Sequence, residues 1–590
     1  LATLFGHLRG YSKAELRADV LAGLTVTFVL IPQAVAYATL AGLPPIMGLY
    51  AAFLPAVAYA LIGTSRHMAV GPVAIVCLLI SSGLSAVATP GTAEYEQSAT
   101  ILAAMVAVAF LGLAVIRAGF LVNFLSHPTI VGFNAAAGIL TALSQVRAFF
   151  GIPREAVPGL TSTNPWPVFV HLADAHAITL ALAAVSLAAL FAISRWAPRL
   201  PGVLIVSATG VLLTWALSLH EAGLGTVGTI ERGLPSFAVP SGTLEQVREL
   251  IPAALTIVVV GYAASITVVK ALAAQGRDRI QPNRELWAFS AANAASAASG
   301  GFPVAGALAR ASVMAEAGSQ TQVAGLLAGL SVLGVLAFMG PVFEFLPEAV
   351  LAAIVMKAAY GLIDVRSALA ILKTKRSDTA TLVLTFAVTL FVSLESGLLV
   401  GILLALVAFV YRTTAPHSAE LGRIVGADVY RNVGRFEVET CPQVGILRID
   451  APLYYANARF LEDTINRMFA ERSDMRVLIL DCASVSDMDA TAIQSVRRVL
   501  TTLRANGNDL HFVQLIGPVR DLLDRSGLGS LIGDAQSRTI LEAAPRVMAQ
   551  ISRDYCEGTC RSRGFPACDR IPRHGEPSHE AEAARFSPQI

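Results

Sequence analysis

From about Asp19 to Arg412 the chain is a succession of apolar runs separated by short polar breaks, and after Thr413 that pattern stops. Bilayer hydrocarbon about 30 Å thick needs about 20 apolar residues per spanning helix. Ile101–Ile116, Ile178–Ile193, Ile251–Ala274 and Leu382–Phe409 are runs of this kind, the last long enough for two spans broken at Ser393-Leu394-Glu395-Ser396-Gly397. A helix suits such a run because it satisfies every backbone polar group within one segment. Only 14% of the residues are charged, against about 25% in soluble domains, which argues against a soluble enzyme. The net charge of +2 removes the case for a nucleic-acid partner, which needs a concentrated basic face. The six cysteines, with Cys77 inside an apolar run and three close together in the tail, are no secreted disulfide framework.

The runs fit about fourteen spans, and the distribution of basic residues tests that count. If the start of the chain, with Arg9, Lys13 and Arg17, is cytoplasmic, every second connection should be basic. Those connections carry Arg66; Arg117; Arg195 and Arg199; Arg277, Arg279 and Arg284; Arg366, Lys373, Lys375 and Arg376; and Arg412. The opposite loops hold Glu94, Glu96, Glu221 and Glu231. No cleavable signal peptide is visible, since charged residues precede the first run. Both termini are therefore expected in the cytoplasm. The expected organisation is a cytoplasmic segment over residues 1–18, a transmembrane domain over 19–412, a linker and the start of the cytoplasmic domain over 413–443, a soluble α/β domain over 444–550 and an unordered tail over 551–590.

Two stretches do not read as plain spanning helices. Gly63-Thr64-Ser65-Arg66-His67-Met68-Ala69-Val70-Gly71-Pro72-Val73-Ala74 and Ser299-Gly300-Gly301-Phe302-Pro303-Val304-Ala305-Gly306-Ala307-Leu308-Ala309-Arg310 each set Gly and Pro before a short apolar segment. They fall third in the first seven spans and third in the second seven. Interruptions at matching positions of two halves point to a transporter site built by inverted repeats. A helix starting in mid-membrane leaves its first N–H groups unpaired and its positive dipole end exposed. Two such starts facing each other would hold an anion, and Pro72 suits a first-turn position because it lacks an N–H. The plainer reading is that the glycines allow close helix packing. Arg310 favours the first reading, because a cation in mid-membrane costs several kcal/mol unless it snorkels, pairs or lines water.

Leu30-Ile31-Pro32-Gln33-Ala34-Val35-Ala36-Tyr37-Ala38 with Gly42-Leu43-Pro44-Pro45 resembles the first-helix signature of the sulfate permease (SulP) family, the prestin- and pendrin-type solute carriers. Gly63-Thr64-Ser65-Arg66-His67, Glu285-Leu286 with Asn293, and Gly301-Phe302-Pro303 with Arg310 continue the match in order. The resemblance implies an α-helical polytopic membrane protein of about fourteen spans, a seven-plus-seven inverted repeat. A core domain would carry substrate against a gate domain, usually in a homodimer. It implies an anion site lined by Gln33 and Tyr37 from the first helix, Val73 and Ala74 at the start of the third, and Leu308, Ala309 and Arg310 at the start of the tenth. Many relatives have serine or another small residue where Ala309 stands. Several similar bacterial members carry an acid in the eighth helix, where this chain has Ala264. With no carboxylate along Ile251–Val269, cation coupling there is in doubt.

Beyond Val444, strands 445–449, 477–481 and 510–515 alternate with helices 458–469 and 491–505, the pattern of an open α/β sheet. Asp481-Cys482-Ala483-Ser484-Val485-Ser486-Asp487-Met488-Asp489-Ala490-Thr491 resembles the loop of STAS domains, and Thr491 falls where their soluble relatives are phosphorylated. Its neighbour is Ala492 rather than glycine. The plainer reading is that Asp489 and Thr491 cap the next helix. In the tail, Cys556, Cys560, Cys568 and His574 do not have a standard zinc spacing, so unligated reduced thiols are expected there.

The expected function is secondary transport of small anions in a bacterial inner membrane, by exchange or uncoupled movement. No catalytic cluster, metal site or cofactor loop is visible. The alternatives are an anion sensor reporting through the STAS domain to a cytoplasmic partner, a cation-coupled symporter, and a nucleobase permease of the same fold. The last is disfavoured, because this chain lacks intramembrane acids in the eighth and tenth helices to hydrogen-bond a neutral ring.

Overall fold

The computed structural model describes residues 11–120, 126–153, 157, 166–197, 200–228, 235, 237, 240–276, 280–338, 344–424 and 427–571. Arg9, Arg199, Arg277, Arg279, Glu231 and His574 lie outside the described residues. The chain divides into two compact units, Leu1–Leu406 and Val407–Ile590.

The first unit is helical. Its first seven segments are α1 (Lys13–Leu40), α2 (Pro45–Ile62), α3 (Ala74–Leu84), α4 (Ala93–Val115), α5 (His127–Ser144), α6 (Ala177–Trp196) and α7 (Gly202–Ala216). The second seven are α8 (Leu244–Gly276), α9 (Pro282–Ala298), α10 (Leu308–Glu316), α11 (Val323–Phe338), α12 (Glu348–Tyr360), α13 (Arg376–Phe391) and α14 (Leu394–Thr414), which runs on past Leu406. Among the described residues seven helices are long and apolar enough to cross a membrane unaided. The others are shorter, α3 and α10 most of all, with eleven and nine residues. At 1.5 Å per residue these two cover about half of the hydrocarbon.

Packing reveals the repeat. Helix α3 packs on α8 and α10 on α1; α4 packs on α9 and α11 on α2; α5 packs on α13 and α12 on α6. Shifting each helix by seven positions converts one member of each couple into the other. The first two couples group α1–α4 with α8–α11 as the core. The third joins α5–α7 with α12–α14 as the gate, where the Thr129 hydroxyl of α5 also bonds the Gly401 carbonyl of α14 at 3.1 Å. Small residues set the spacing: a Cβ on Gly48 would collide with the Ala34 carbonyl, and one on Gly132 would meet that of Leu382 at 2.5 Å. The chain starts α1 with a capping box, Ser12 and Glu15 each bonding the other's backbone N–H.

Before α3 and α10 the backbone is extended. Strands β1 (Val70–Gly71) and β2 (Ala305–Gly306) pair antiparallel, Val70 opposite Gly306 and Gly71 opposite Ala305. This pairing satisfies buried backbone groups that no helix satisfies there. It also brings the two helix starts to one place.

The second unit is an α/β sheet of strand order β4-β3-β5-β6-β7-β8. Its strands are β3 (Ser418–Arg423), β4 (Tyr430–Asn432), β5 (Val444–Ile449), β6 (Val477–Asp481), β7 (Asp509–Val513) and β8 (Gln536–Ser537). The β5–β8 pairs are parallel, and β3 is antiparallel to β4 and β5. Helices α15 (Ala458–Glu471), α16 (Ala490–Ala505), α17 (Gly517–Arg525) and α18 (Ile540–Met548) complete it. Leu478, Leu480, Leu510 and Phe512 alternate into the core under α15 and α16, while Val477, Ile479 and Val513 face Ile540 and Val547 of α18.

The tail differs from expectation as far as Ile571. Helical turns at Arg553–Gly558 and Pro566–Arg570 return the chain to the sheet. Phe565 and Cys568 join the buried cluster of Cys441, Val444 and Ile446. Ser562 donates to the Thr440 carbonyl at 2.6 Å, the Arg563 N–H donates to Glu439, and Arg423 pairs with Asp569 at 2.9 Å. Composition marks this stretch as unordered because its polar residues dominate, but two apolar anchors suffice to seat it. Cys556 and Cys568 are buried and Cys560 is half-buried, and burial pushes the neighbouring Cys441 thiol up to about 12. Among the described residues no three His, Cys, Asp or Glu side chains converge to hold a metal ion.

A candidate anion site at two facing helix starts

Val73 is the N-cap of α3 and Ala307 that of α10, both extended and neither with a side-chain cap. The first N–H groups of both helices thus lack the side-chain acceptor that usually occupies them. Pro72 does not sit in the first turn of α3, as its missing N–H suggested, but one residue before the N-cap, because Gly71 is still paired in β1. That offset frees its carbonyl for another role.

Arg310 is the third residue of α10 and is fully buried. Its Nη1 donates to the Pro72 carbonyl at 2.7 Å and to Gln33 Oε1 at 3.3 Å, while Nε and Nη2 are buried with no partner among the described residues. Gly71 lies beside the guanidinium, and a Cβ there would come within 3.2 Å of Leu30 Cδ1 and 3.5 Å of Nη2. Gln33 and Tyr37 stand one turn apart on α1, both buried. Ala74 is buried at the first position of α3, and Val73 is half-buried. Leu308 opens α10, and Ala309 beside Arg310 is exposed. The structure therefore joins Gln33, Pro72 and Arg310 by hydrogen bonds and places Val73, Ala74, Leu308 and Ala309 at the two helix starts.

On α8, Ala264 is half-buried and offers no ligand. Ser265 is a strut: its hydroxyl donates to the Gly261 carbonyl at 2.6 Å and accepts the Gly306 N–H of β2 at 2.9 Å. The Thr267 hydroxyl bonds the Ala263 carbonyl at 2.7 Å.

Two residues quoted above only as motif letters, Asn293 and Glu285, carry the scaffold together with Ser296, which sequence reading did not single out. Asn293 Oδ1 accepts the Val304 N–H at 2.9 Å and its Nδ2 donates to the Val304 carbonyl at 3.1 Å. Ser296 donates to the Phe302 carbonyl at 2.6 Å, and Gly300, at φ +72°, turns the chain back toward it from the end of α9. Glu285, fully buried, accepts from the Tyr59 hydroxyl at 2.7 Å, the Thr64 N–H at 2.8 Å and the Thr64 hydroxyl. It fastens the loop leading to β1 onto α9. The signal for Asn293 and Ser296 was a polar side chain among small and apolar residues, whereas Glu285 follows a polar connection and carried no such signal.

One turn beyond Tyr37, the ends of α1, α3, α5 and the start of α12 enclose a polar cavity of about 590 Å³ lined by Leu40, Ser81, Ser85, Gln145, Arg147 and Glu348 among others. Arg147 and Glu348 approach to 3.6 Å.

In the second unit Asp489 caps α16, accepting from Ala492 N at 2.8 Å and Tyr455 N at 2.8 Å. Thr491 is exposed on the first turn and makes no cap bond.

A core of crossed half-helices beside a gate, with a cation at their meeting point, defines a membrane transporter for anions. Residues 16–385 match the sulfate permease family and residues 435–543 the STAS domain. Sulfate transporter 4.1 of Arabidopsis thaliana is 32% identical over 552 residues, covering 90% of this chain and 80% of its own. A probable sulfate transporter of Mycobacterium tuberculosis is 31% identical over 530 residues, covering 90% and 94%. The murine solute carrier 26 member A9 anion transporter, in its inward-facing state, superposes with a TM-score of 0.84 at 23% identity over 93% of this chain and 95% of that one. The transmembrane domain of the cyanobacterial bicarbonate transporter BicA gives 0.57 at 22% identity, over 67% of this chain and 98% of that one. The chain belongs to the sulfate permease family, with a C-terminal STAS domain.

Proposed function

We propose that the protein exchanges small inorganic anions, sulfate first among them, by moving α1–α4 and α8–α11 against α5–α7 and α12–α14. The observation that carries this is the fully buried Arg310, whose Nε and Nη2 have no partner among the described residues, between two helix starts without side-chain caps. A guanidinium offers planar, forked donors that match an oxyanion, and buried unpaired donors are costly unless a ligand takes them. Gln33 orients the guanidinium, and Tyr37, Val73, Ala74, Leu308 and Ala309 complete the site. Sulfate is favoured because the relatives at 31–32% identity are named sulfate transporters.

Arg66, Arg117, Arg195, Arg284, Arg366 and Arg412 on one set of connections, against Glu94, Glu96 and Glu221 on the other, support cytoplasmic termini. The bacterial inner membrane and a homodimer complete the proposal, the homodimer resting on family resemblance. The decisive experiment is radiolabelled sulfate flux in proteoliposomes with a panel of competing anions inside and outside. Saturable flux accelerated by a counter-anion is expected. Saturable binding without flux would establish the sensor reading, in which exposed Thr491 is the modifiable group of the STAS domain.

A further inference from the structure

The connection between α12 and α13 carries a basic pocket that the transport site does not use. A short helix, Val365–Leu372, is capped by Asp364, whose carboxylate accepts the Ser367 N–H at 2.9 Å. Its Ile371 packs with Val131 and Leu382, whereas Val365, Leu369 and Leu372 are 59%, 53% and 46% exposed. Such a helix, apolar on an outer face and ending where a spanning helix begins, suits the headgroup boundary of a bilayer. Lys373-Thr374-Lys375-Arg376 follow, and then α13. Together they line an open surface pocket of about 470 Å³, with Lys373, Lys375 and Arg376 around it and Leu372, Ala380 and Val383 as its apolar wall. No hydrogen bond or ion pair with another described residue engages these three cations. The acid nearest in sequence, Asp378, accepts from the Ser377 hydroxyl at 3.2 Å.

We propose that this pocket holds the phosphate headgroup of an anionic phospholipid, whose acyl chains lie along Leu372, Val383 and the outer face of α13. Charge complementarity supplies the first argument, since three uncompensated cations at a membrane surface attract anionic lipid. Continuity supplies the second: the wall passes from Leu372 through Val383 to Leu384, all nearly half exposed, along a helix that spans the bilayer. A free phosphate ion would use the cations but make no contact with that wall.

The test is native mass spectrometry of the full chain released from nanodiscs of equal phosphatidylglycerol and phosphatidylcholine. Wild type should retain phosphatidylglycerol at least fivefold over phosphatidylcholine. The variant carrying Lys373→Gln, Lys375→Gln and Arg376→Gln should lose that preference, with sulfate flux intact. Because loop cations also help set orientation, the single substitutions K373Q and K375Q, which leave two of the three, should each reduce retention at least twofold. No preference in wild type, or equal preference in every variant, would overturn the proposal. So would displacement of the retained lipid by millimolar inorganic phosphate, which would make the pocket a soluble-anion site.

Discussion

At the scale of single residues, Arg310 is stable in its place only with partners for its whole fork. The Pro72 carbonyl and Gln33 engage Nη1, and under the proposed function Nε and Nη2 are the donors left for the transported anion. Charge-assisted bonds contribute about 1.5–3 kcal/mol. Arg310→Ala should therefore raise KM for sulfate about tenfold or more in a variant that inserts normally. Arg310→Lys should recover only part of this, since a point charge does not reproduce the fork. Unchanged KM for the alanine variant, read in proteoliposomes, would remove Arg310 from the site. An arginine inside an apolar run is legible in a bare sequence because lipid makes it expensive. The role of Pro72 was not, because it lies in a carbonyl rather than a side chain and depends on Gly71 remaining in β1.

At the scale of elements, the broken helices hold their position through side chains that bond the backbone of another segment. Asn293 takes both polar groups of Val304 in a buried setting. Asn293→Leu would strand that N–H and C=O, at about 1–3 kcal/mol for each group left unsatisfied. A fall of several degrees in Tm in detergent is expected, with weakened sulfate binding; an unchanged Tm would show that the clamp does not bear on β2. Short polar residues in apolar helices read equally well as packing residues, so only coordinates separate Ser265, which holds Gly306, from Thr267, which bonds its own helix. The cavity beyond Tyr37 gives a second expectation. The Arg147–Glu348 side chains are 26% and 44% exposed, so the pair adds little stability but does neutralise the basic residue lining that mouth. Glu348→Gln should lower KM for sulfate about two- to threefold from that side of the membrane, with the gain fading at high salt. Equal KM for wild type and variant in low-salt vesicles would count against a role for the mouth.

At the scale of the whole molecule, the fourteen-segment architecture was legible because lipid forces long apolar runs, and the α/β unit because its periodicity changes after Thr413. The seat of Phe565 and Cys568 was not, since a few apolar anchors are lost within a polar composition. Every proposed transport-site residue precedes Leu406, so a chain ending at Thr414 should still bind sulfate within about threefold of the full protein, measured by labelled-anion binding after a check of insertion. Coupling also belongs to the whole molecule, because a driving cation must bind in one conformation of the core and not the other. A carboxylate beside the broken helices could serve, but Ala264 stands on α8 and both nearby hydroxyls, Ser265 and Thr267, already donate to helix carbonyls. The fully buried acids among the described residues of the first unit are Asp19 and Glu285. Asp19 bonds Tyr11 and the start of α11 through Gln320 and Thr321, and Glu285 bonds Tyr59 and Thr64. Both are fixed to scaffold, and neither is bonded to Arg310. Without a carboxylate, hydroxyls do not offset the charge of a desolvated Na⁺, and they accept no proton near neutral pH. Sulfate flux should therefore be indifferent to imposed Na⁺ and pH gradients and should rise with a counter-anion inside the vesicle. Strict Na⁺ dependence, or uphill uptake driven by an inward proton gradient, would defeat this expectation. Loss of that coupling in Glu285→Gln, with downhill exchange retained, would then identify the acid that replaces the one missing from α8.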